Sequence, residues 1–377
     1  MKLIGYMIFA CFFYIFRIFG CRNQKKVFCI ATHDAGSTGN IGIMVEALKQ
    51  KDSGYSFIYI TRETKISNFI DFFIKKPYHL ATSEYVLMDN AFLPMSFLYF
   101  SKKVKVVQLW HGTGAIKKFG QSVNSGLLKW LEYHVNRSIT HLIVGSRYIK
   151  LMYHKAFDIS IDKIYITGLP RTDVFFSEEK IEEYKNNFYN NYSKLTEKKI
   201  YMYAPTFRDK EIDNPKIRLD LDEMYQYLGE EEVLLLRLHP HVAKQFDEGM
   251  IVKYGDKIIN VSDYSELNEL LFITDVLITD YSSIIFEYSI LGRPMIFYCY
   301  DLAEFSQDGR GFYEDDYIGF VPGTVAVTTK EVIESLKDAP AKNQKALQFV
   351  EKGFDFTDGN SVQRLYRLIF GNSVEDI

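Results

Sequence analysis

Short apolar runs that alternate with helical stretches, in two successive blocks, constrain the fold of this chain more than any other feature of its sequence. Runs rich in β-branched and aromatic residues predict buried parallel strands when helices separate them. The first block predicts strands at 27–31, 56–60, 85–88, 104–109, 141–144 and 163–167. The second block predicts strands at 199–203, 232–238, 257–261, 275–279 and 294–300. Two such blocks predict an α/β protein with two Rossmann-like, doubly wound sheets that face each other across a cleft.

A polar segment rich in Asn and Lys at 178–198 separates the two blocks and sets the predicted division of the chain. We expect a hydrophobic segment at 1–22, a first Rossmann-like domain at 27–190, a second at 195–355, and a C-terminal helix and tail at 356–377. The length of 377 residues suits two domains of this kind.

The N-terminal segment is apolar or aromatic from 4 to 16 apart from Gly5, and no acidic residue occurs before Asp34. A helix over these residues rises about 20 Å, which is less than the ~30 Å hydrocarbon core of a bilayer. We therefore favour a short helix in the membrane interface, with its basic flanks on anionic lipid. Two alternatives stay open. Residues 18–21 loosely resemble a lipoprotein cleavage box, which would indicate a signal peptide, and the segment also fits a buried first helix.

Charge and cysteine content argue against several classes of protein. The chain has 45 Lys and Arg against 48 Asp and Glu, so it lacks the basic surplus of a nucleic-acid-binding protein. Its four cysteines show no paired spacing, which argues against a disulfide framework or a zinc site and indicates a reducing compartment. The sequence contains no P-loop, GxSxG, HExxH or CxxC motif. We expect neither a bound metal nor a cofactor.

Ligands of doubly wound sheets bind at the carboxyl ends of the strands, so residues that follow predicted strands are the first candidates for function. His111 follows the strand at 104–109, and Gly112 and Gly114 beside it allow the backbone to turn sharply. An imidazole has a proton affinity near neutral pH, which suits a general base that takes a proton from a hydroxyl group. The alternative is a histidine that only caps the loop by hydrogen bonding.

A second candidate group follows the strand at 232–238, which Pro240 brings to an end. Arg237, His239 and His241 then lie near the mouth of the predicted cleft, where contact with phosphate is the interpretation that we favour. Metal ligation is a weaker interpretation, because the two histidines have no Asp, Glu or Cys at ligand spacing. A purely structural His-Pro turn is the remaining alternative.

The most informative run is 276–288, in which a buried strand ends at Thr279 and Asp280 follows. Ser282 or Ser283 begins the next helix, where free backbone amides, the positive end of the helix dipole and several hydroxyls form a phosphate site. Glu287 lies about one turn into that helix and suits a ribose diol. The alternative is ordinary serine capping with Glu287 in solvent.

Three smaller pieces complete the candidate set. Thr206 and Arg208 follow the strand at 199–203 and are placed to reach a diphosphate. Arg310 begins the segment 310–313, which is either a loop that closes over a bound nucleotide or a hinge. The glycine-rich segment 33–40, which ends at Asn40, lacks GxGxxG spacing and is better explained as an acceptor-side loop.

Eight segments together carry a resemblance to a known family. They are WHGTGAIKKFG (110–120), ITGLPRTDVFF (166–176), YAPTFRD (203–209), LRLHPH (236–241), ITDYSSIIFEY (278–288), GRPMIFYCYD (292–301), RGFY (310–313) and FTDGNSVQR (356–364). In this order they resemble the CDP-glycerol glycerophosphotransferase family of wall teichoic acid synthesis, over nearly everything after residue 27.

The resemblance implies a GT-B-like fold of two Rossmann-like domains, with the acceptor in the domain at 27–190 and the CDP-alcohol donor in the domain at 195–355. It implies that His111 is the catalytic base and that His239 contacts the donor phosphates or assists catalysis. The implied donor-side residues are Thr206, Arg208, Arg237, His241, Thr279, Asp280, Ser282, Ser283, Glu287 and Arg310. The implied acceptor-side residues are Gly112, Thr113, Lys117 and Asn40. No metal is implied.

Polymerases of this family carry WHGTPLK where this chain has WHGTGAIK, and the GAIKKFG form and single-module length resemble the primase. The implied reaction transfers glycerol phosphate from CDP-glycerol to an undecaprenyl-diphosphate-linked disaccharide and releases CMP. It would take place at the cytoplasmic face of the bacterial cell membrane, with other wall-polymer synthesis enzymes as further partners. The alternatives are a poly(glycerol or ribitol phosphate) polymerase, a capsule glycosyltransferase of GT-B fold with another nucleotide donor, and a non-catalytic membrane adaptor.

Overall fold

The computed structural model describes residues 2–206, 208, 216–243, 252–308 and 310–371, without the side chains of Pro240, His241 and Asp308. These residues divide into two compact units. Within the described ranges, unit 1 comprises Met1–Thr113, Lys118–Phe176 and Lys352–Ile377, and unit 2 comprises Gly114–Lys117 and Ser177–Glu351. The chain therefore changes unit inside the segment that follows His111. The domain boundaries drawn from the sequence stay predictions.

Unit 1 contains a six-stranded parallel sheet with the strand order β2-β1-β3-β4-β5-β6. Its strands are β1 (Asn23–Ala31), β2 (Ser56–Thr61), β3 (Ser83–Met88), β4 (Lys105–Gln108), β5 (His141–Val144) and β6 (Ile164–Ile166). Ile30 of β1 pairs with Ile60 of β2 and with Met88 of β3. Because β2 and β3 lie on opposite sides of β1, the topological switch point of this sheet lies between β1 and β3.

Helices cover both faces of this sheet. The α-helices of unit 1 are Lys2–Phe19, Asn40–Lys51, Lys76–Ala81, Gly126–Arg137, Arg147–Phe157 and Ser361–Phe370, and the shorter turns are a π-helix at Ile70–Lys75 and 3₁₀ segments at Leu93–Phe97, Gly120–Ser122, Ile161–Lys163 and Pro170–Phe176. The Asn40–Lys51 helix buries Ile41, Met44 and Leu48, whose spacing of three and four residues puts them on one face. They pack in one core cluster with Val27 and Leu87 of the central strands.

The N-terminal helix Lys2–Phe19 has two different faces. Phe9 and Phe13 are buried within unit 1, where Phe9 packs edge-on against Phe92, with ring centroids 5.6 Å apart, and Phe13 packs against Phe100. The opposite face exposes Ile4, Met7, Ile15, Ile18 and Phe19. Among the described residues this is the one helix long and apolar enough to cross a membrane, a test that core helices and signal sequences also pass. Thus one face fits a core helix, and the other leaves an apolar surface uncovered.

Unit 2 contains a second six-stranded parallel sheet, with the order β12-β11-β10-β7-β8-β9. Its strands are β7 (Lys199–Ala204), β8 (Glu232–Leu236), β9 (Ile258–Asn260), β10 (Val276–Thr279), β11 (Met295–Tyr298) and β12 (Thr324–Ala326). Ala204 of β7 pairs with Thr279 of β10. Since β8 and β10 lie on opposite sides of β7, the switch point of this sheet lies between β7 and β10.

The helices of unit 2 are mostly short. They are Glu178–Asn191, Leu221–Tyr227, Pro240–Ala243, Leu267–Ile273, Ile284–Ile290, Leu302–Asp308, Tyr317–Phe320 and Thr329–Lys337, with 3₁₀ turns at Ser193–Leu195 and Gly255–Lys257 and with Gln344–Gly353 at the return to unit 1. The Ile284–Ile290 helix is buried along almost its whole length. Four residues separate its start from the end of β10, so its first turn lies at the carboxyl edge of the sheet.

The predicted α/β class with two doubly wound parallel sheets is confirmed. Each of the eleven predicted strands corresponds to an observed strand, with ends that differ by a few residues. The sequence pattern missed β12, because Thr324–Ala326 is a three-residue edge strand without a sustained apolar run.

Candidate functional site

Asp89 organises the switch point of unit 1. It follows β3 directly and is 2% exposed. Its carboxylate accepts hydrogen bonds from the backbone N–H groups of Thr32, His33 and Asp34, which follow β1, at 2.8–3.1 Å. Burial raises the pKa of Asp89, although these amides act in the opposite direction. The carboxylate therefore fixes the loop after β1 against the end of β3.

His111 lies over the same switch point. Its Nδ1 is 2.9 Å from the carbonyl oxygen of Asp89. A carbonyl oxygen only accepts, so Nδ1 carries the proton and Nε2 of the neutral ring presents a lone pair. Burial, followed by the proximity of His33, lowers the pKa of His111 to about 3. At neutral pH the ring is therefore uncharged and in the tautomer that a general base requires.

His33 stacks on His111. The two ring centroids are 3.8 Å apart and the planes differ by 5°. Part of His33 is exposed to solvent, and the rest of the side chain is covered by protein. This partial burial, together with the guanidinium groups of Arg62 and Arg171, lowers the pKa of His33 to about 4. The same two arginines also lower the pKa of His111. The exposed surface of this cluster is thus two neutral imidazoles next to two positive charges.

The loop that carries His111 is held in a strained conformation. Trp110 has a φ of 54°, which costs a non-glycine residue of order 1–3 kcal/mol. Asn40 restrains it: its Nδ2 donates to the Trp110 carbonyl at 3.1 Å, and its Oδ1 accepts from the Arg171 backbone N–H at 3.0 Å. The Tyr153 hydroxyl donates to the Gly112 carbonyl at 2.8 Å, and Arg171 Nη2 donates to Thr113 Oγ1. Asn40 and Thr113 therefore position the loop, and a contact of either with an acceptor stays a prediction.

A second carboxylate organises the switch point of unit 2. Asp280 follows β10 directly, and its Oδ1 accepts from the backbone N–H groups of Thr206 at 2.7 Å and Tyr281 at 2.6 Å. Its Oδ2 is 2.8 Å from Arg208 Nη1. In contrast to Asp89, this carboxylate faces a permanent positive charge.

Arg208 is engaged on several sides. It binds Asp301 through Nε and Nη2, at 2.6 and 3.0 Å, and Nη1 donates to the Thr206 carbonyl at 2.7 Å. Its Cζ is 4.9 Å from the centroid of the Tyr281 ring. Burial lowers the pKa of Arg208, but the carboxylates of Asp280 and Asp301 raise it by more than burial lowers it. The guanidinium group therefore stays charged. Arg208 is thus a buried link between two carboxylates, and its predicted reach to a diphosphate is untested.

A pocket opens beside this cluster, at the carboxyl ends of β7 and β8. The space among its lining residues is about 390 Å³ and includes open solvent. Its lining residues are Tyr203, Pro205, Thr206, Arg208, Lys216, Arg218, Leu238, His239, Val242 and Tyr300. Lys216, Arg218 and His239 are exposed and give the pocket a basic rim. The pocket therefore fits an anionic ligand.

One polar group in this pocket points to a ligand. The Thr206 hydroxyl oxygen is buried and has no hydrogen-bond partner among the residues that the structure describes. A buried polar atom without a partner is costly, which is why most such atoms are satisfied by protein, water or ligand. Thr279 behaves differently, because its hydroxyl donates to the Ala204 carbonyl at 2.7 Å between neighbouring strands.

The serines at the start of the Ile284–Ile290 helix do little capping. Ser283 occupies the N-cap position without a side-chain capping bond in this described helix, and the Ser282 hydroxyl accepts a long 3.4 Å bond from Ile284 N–H. Both serines are half-buried, and Glu287 is buried in the same helix. Serine capping therefore does not account for this run of residues.

The remaining predicted residues are not among the residues that line the pocket. Arg237 donates to the carbonyls of Val261 and Ser262, which ties β8 to the loop after β9. Lys117 bridges to Phe312 through the backbone, next to exposed Arg310. The side chain of His241 lies outside the described part of the chain.

Several residues of both sites were not predicted. They are His33 as a partner of His111, Arg62, Asp89 and Arg171 in unit 1, and Lys216, Arg218 and Asp301 in unit 2. Asp89 could have been found, because it follows a predicted strand directly. Among the described residues no group of three or more His, Cys, Asp and Glu side chains has an arrangement that would hold a metal ion.

The two sheets and their polar switch points define an α/β protein of the GT-B-like class. A variant of the wall teichoic acid polymerase TagF has the same fold, with a TM-score of 0.82 over 97% of this chain and 92% of that chain at 22% identity. Residues 11–371 match the family model described as CDP-Glycerol:Poly(glycerophosphate) glycerophosphotransferase, and the chain belongs to this family.

Curated relatives have different roles within teichoic acid synthesis. The teichoic acid poly(ribitol-phosphate) polymerase of Bacillus spizizenii is 34% identical over 96% of this chain and 59% of its own length. The teichoic acid glycerol-phosphate primase of Bacillus subtilis is 34% identical over 78% of this chain and 76% of its own length. This chain thus spans about three fifths of the length of the polymerase that it matches.

Proposed function

We propose that this chain transfers glycerol phosphate from CDP-glycerol to an undecaprenyl-diphosphate-linked sugar acceptor, as the priming step of wall teichoic acid synthesis, and releases CMP. The observation that carries the proposal is the basic pocket at the ends of β7 and β8, in a chain that belongs to the glycerophosphotransferase family. A nucleotide diphosphate suits this pocket, because Lys216, Arg218 and His239 would neutralise its charge.

The donor binds in unit 2 in this proposal. The diphosphate contacts the basic rim, the Thr206 hydroxyl donates to one of its oxygens, and Ser282 and Ser283 provide further hydroxyl and amide donors. Charge grows on the leaving CMP phosphate during an in-line displacement, and fixed donors aimed at that charge lower the barrier. Arg208 and Asp280 hold the Thr206 backbone in place for this contact.

His111 acts as the base in this proposal. The acceptor oxygen forms a bond to the phosphorus that carries the glycerol, the bond from that phosphorus to the CMP oxygen breaks, and the acceptor proton passes to Nε2 of His111. The hydrogen bond of Nδ1 to the Asp89 carbonyl supports this role, because it leaves Nε2 as the acceptor. Asn40 and Tyr153 support it indirectly by restraining the loop.

A ribitol-phosphate polymerase is the second candidate function. The observation that favours it is that the polymerase of Bacillus spizizenii matches over 96% of this chain, against 78% for the primase of Bacillus subtilis. Donor alcohol and number of transfers separate the two candidates.

The deciding experiment is mass spectrometry of the lipid product. The purified chain is incubated with the lipid-linked disaccharide and either CDP-glycerol or CDP-ribitol. A gain of one glycerol phosphate supports priming, and a ladder of ribitol phosphates supports the second candidate. His111→Ala is the inactive reference, and His154→Ala is the matched control, because His154 Nδ1 also lies on a backbone carbonyl, that of Ile159, away from the site. Consumption of a UDP-sugar, with no product from either CDP-alditol, would contradict the proposal.

The membrane is the second part of the proposal: we infer that the N-terminal helix lies in the bilayer interface at the cytoplasmic face. The exposed face, with Ile18 at 75% and Phe19 at 81% exposure, supports this orientation. Phe9 and Phe13 pack into unit 1 on the other face, so a spanning orientation would have to separate them from their core. An enzyme held at the interface meets a lipid-linked acceptor more often.

Vesicle sedimentation tests this part. Deleting the helix would also remove Phe9 and Phe13 from the core, so the sharper variant is Ile18→Glu with Phe19→Glu. We expect it to lose binding to vesicles of phosphatidylglycerol and phosphatidylcholine while its thermal unfolding stays unchanged. Ile318→Glu, at an exposed apolar position of unit 2, is the control and should bind like the parent chain. Equal sedimentation of all three proteins would exclude the interfacial helix.

A further inference from the structure

Four basic side chains converge at the switch point of unit 1. They come from different strand ends: His33 follows β1, Arg62 follows β2, His111 lies after β4, and Arg171 lies in the turn after β6. Arg62 Nε donates to the Thr32 carbonyl beside His33, and Arg171 Nη2 donates to Thr113 Oγ1 beside His111. The convergence therefore depends on the sheet and its connecting loops rather than on one flexible segment.

Two described acids of unit 1 that lie near this cluster, Asp89 and Asp34, accept hydrogen bonds from backbone amides. The Asp89 carboxylate is turned to the amides of Thr32, His33 and Asp34. Asp34 accepts from the backbone N–H of Gly36 at 3.0 Å. Asp34 does raise the pKa of His33, but burial, Arg62 and Arg171 together outweigh it. The guanidinium groups thus outweigh Asp34 in the electrostatic environment of His33.

We propose that His33, His111, Arg62 and Arg171 form an anion site that takes a phosphate group of the acceptor. Guanidinium groups bind phosphate oxygens through paired N–H donors, and an imidazole adds a further donor only in its protonated form, so the two arginines provide the binding at neutral pH. This proposal rests on the proposed function, because it assumes that the acceptor is a phosphorylated lipid or polymer. Two parts of an acceptor could provide this phosphate group: the diphosphate of the lipid carrier, and a phosphodiester at the end of a primed chain.

A bound phosphate would also change the chemistry of His111. The pKa of about 3 leaves His111 neutral but a weak base, about four pH units below neutrality. Base catalysis is most effective when the pKa lies near the working pH. A negative charge beside the stacked imidazoles raises both of their pKa values, so a bound acceptor would bring the pKa of His111 closer to the range in which base catalysis is effective.

Histidine NMR on the full chain tests the site without any donor. The probes are inorganic phosphate and glycerol 3-phosphate, and the readout is the titration of the ring protons of His33 and His111. We expect phosphate to raise both pKa values by at least about one unit, which by linkage means at least tenfold tighter binding to the protonated form.

Variants separate this site from a general effect of ionic strength on the histidines. Arg62→Gln and Arg171→Gln should each reduce the phosphate-induced change, and Arg171→Lys should restore part of it. Arg147→Gln is the matched control, because Arg147 is an exposed arginine of the same unit that pairs with Asp355. The proposal would be overturned if phosphate left the pKa values of both histidines unchanged. It would also be overturned if phosphate changed these pKa values equally in all variants.

The source of the phosphate is found by kinetics. An acceptor that ends in glycerol phosphate and one that ends in the sugar are compared in Arg62→Gln. We expect the KM for the acceptor to rise several-fold with the KM for CDP-glycerol unchanged. A rise for the glycerol-phosphate terminus alone assigns the site to a chain end, and a rise for both assigns it to the lipid diphosphate. A rise in the KM for CDP-glycerol instead would overturn the acceptor assignment. If the histidine titrations show phosphate binding but the chain transfers no glycerol phosphate, the result would contradict the proposed function and not the anion site.

Discussion

The two switch points of this molecule share one device and differ in what surrounds it. In each unit an aspartate that directly follows a strand accepts backbone N–H groups from the loop after the neighbouring central strand: Asp89 binds the loop after β1, and Asp280 binds Thr206 after β7. Asp280 also faces Arg208, whereas the groups above Asp89 are the stacked imidazoles of His33 and His111.

The difference assigns different chemistry to the two sheets. Arg208 stays charged at all working pH values, but Asp280 and Asp301 balance it, so this cluster is a fixed scaffold and the positive charge offered to a ligand comes from the basic rim of the pocket beside it. Imidazoles change charge with small changes in their surroundings, so the cluster of unit 1 suits proton transfer. In the proposed function, the end of the sheet of unit 2 at Asp280 is therefore the binding edge and the end of the sheet of unit 1 at Asp89 is the proton-transfer edge, and the predictions below test this division.

The largest expected effect is on transfer in His111→Ala. Removing a general base lowers the rate roughly 10²–10⁴-fold. Because the proposed donor pocket lies in unit 2, CDP-glycerol should bind with unchanged affinity, as measured by calorimetry. Near-normal turnover, or a loss of CDP-glycerol affinity equal to the loss of rate, would break the proposed division between the units.

The next effect is on stability in Arg208→Met. This change leaves Asp280 and Asp301 buried or half-buried without their partner, and breaking such a pair costs about 3–5 kcal/mol. Urea denaturation measures the free energy of unfolding. Asp89→Asn is the matched change in unit 1, where amide donors rather than a cation are lost, and it should cost only about 1–3 kcal/mol. If Asp89→Asn lowered the free energy of unfolding by more than Arg208→Met does, the two carboxylates would not be held as described.

The sequence predicts the sheets better than it predicts these clusters. Buried parallel strands such as Val276–Thr279 are continuous apolar runs, so local pattern suffices to find them. His111, Thr206 and Asp280 were identified because they follow such runs. The pairing of Arg208 with Asp301 and the stacking of His33 on His111 depend on contacts between distant parts of the chain, for which no local pattern exists.

Acid should weaken unit 1 before unit 2. The folded-state pKa values of His33, about 4, and His111, about 3, lie below the ordinary value of 6.5, so folding favours the neutral rings. Their contribution to stability is complete above about pH 6.5 and is lost as the pH falls toward these folded values. For His111 the slope reaches at most about 1.4 kcal/mol per pH unit. Hydrogen exchange of the Thr32 and Thr206 amides measures the two units separately.

Burial also lowers the pKa of His79 and lowers that of His141 to about 4, both in the same unit. The double variant His33→Gln, His111→Gln therefore isolates the contribution of the two stacked rings: between pH 6.5 and 4.5 its Thr32 amide should lose less protection than that of the parent chain. Earlier loss of protection at Thr206 than at Thr32 in the parent chain would contradict the assignment of the proton-transfer edge to unit 1.

The smallest expected effect distinguishes two threonines of unit 2. Thr206→Val removes a buried hydroxyl that has no partner among the described residues, so the free energy of unfolding should stay the same or rise. Affinity for CDP-glycerol should fall by about 0.5–1.5 kcal/mol if the hydroxyl donates to the diphosphate. Thr279→Val removes a hydroxyl that donates to the Ala204 carbonyl, so it should lower the free energy of unfolding instead. Denaturation should therefore show a loss of stability for Thr279→Val but none for Thr206→Val, and calorimetry should show the loss of CDP-glycerol affinity in Thr206→Val. A loss of stability in both variants would indicate that the Thr206 hydroxyl has a structural role.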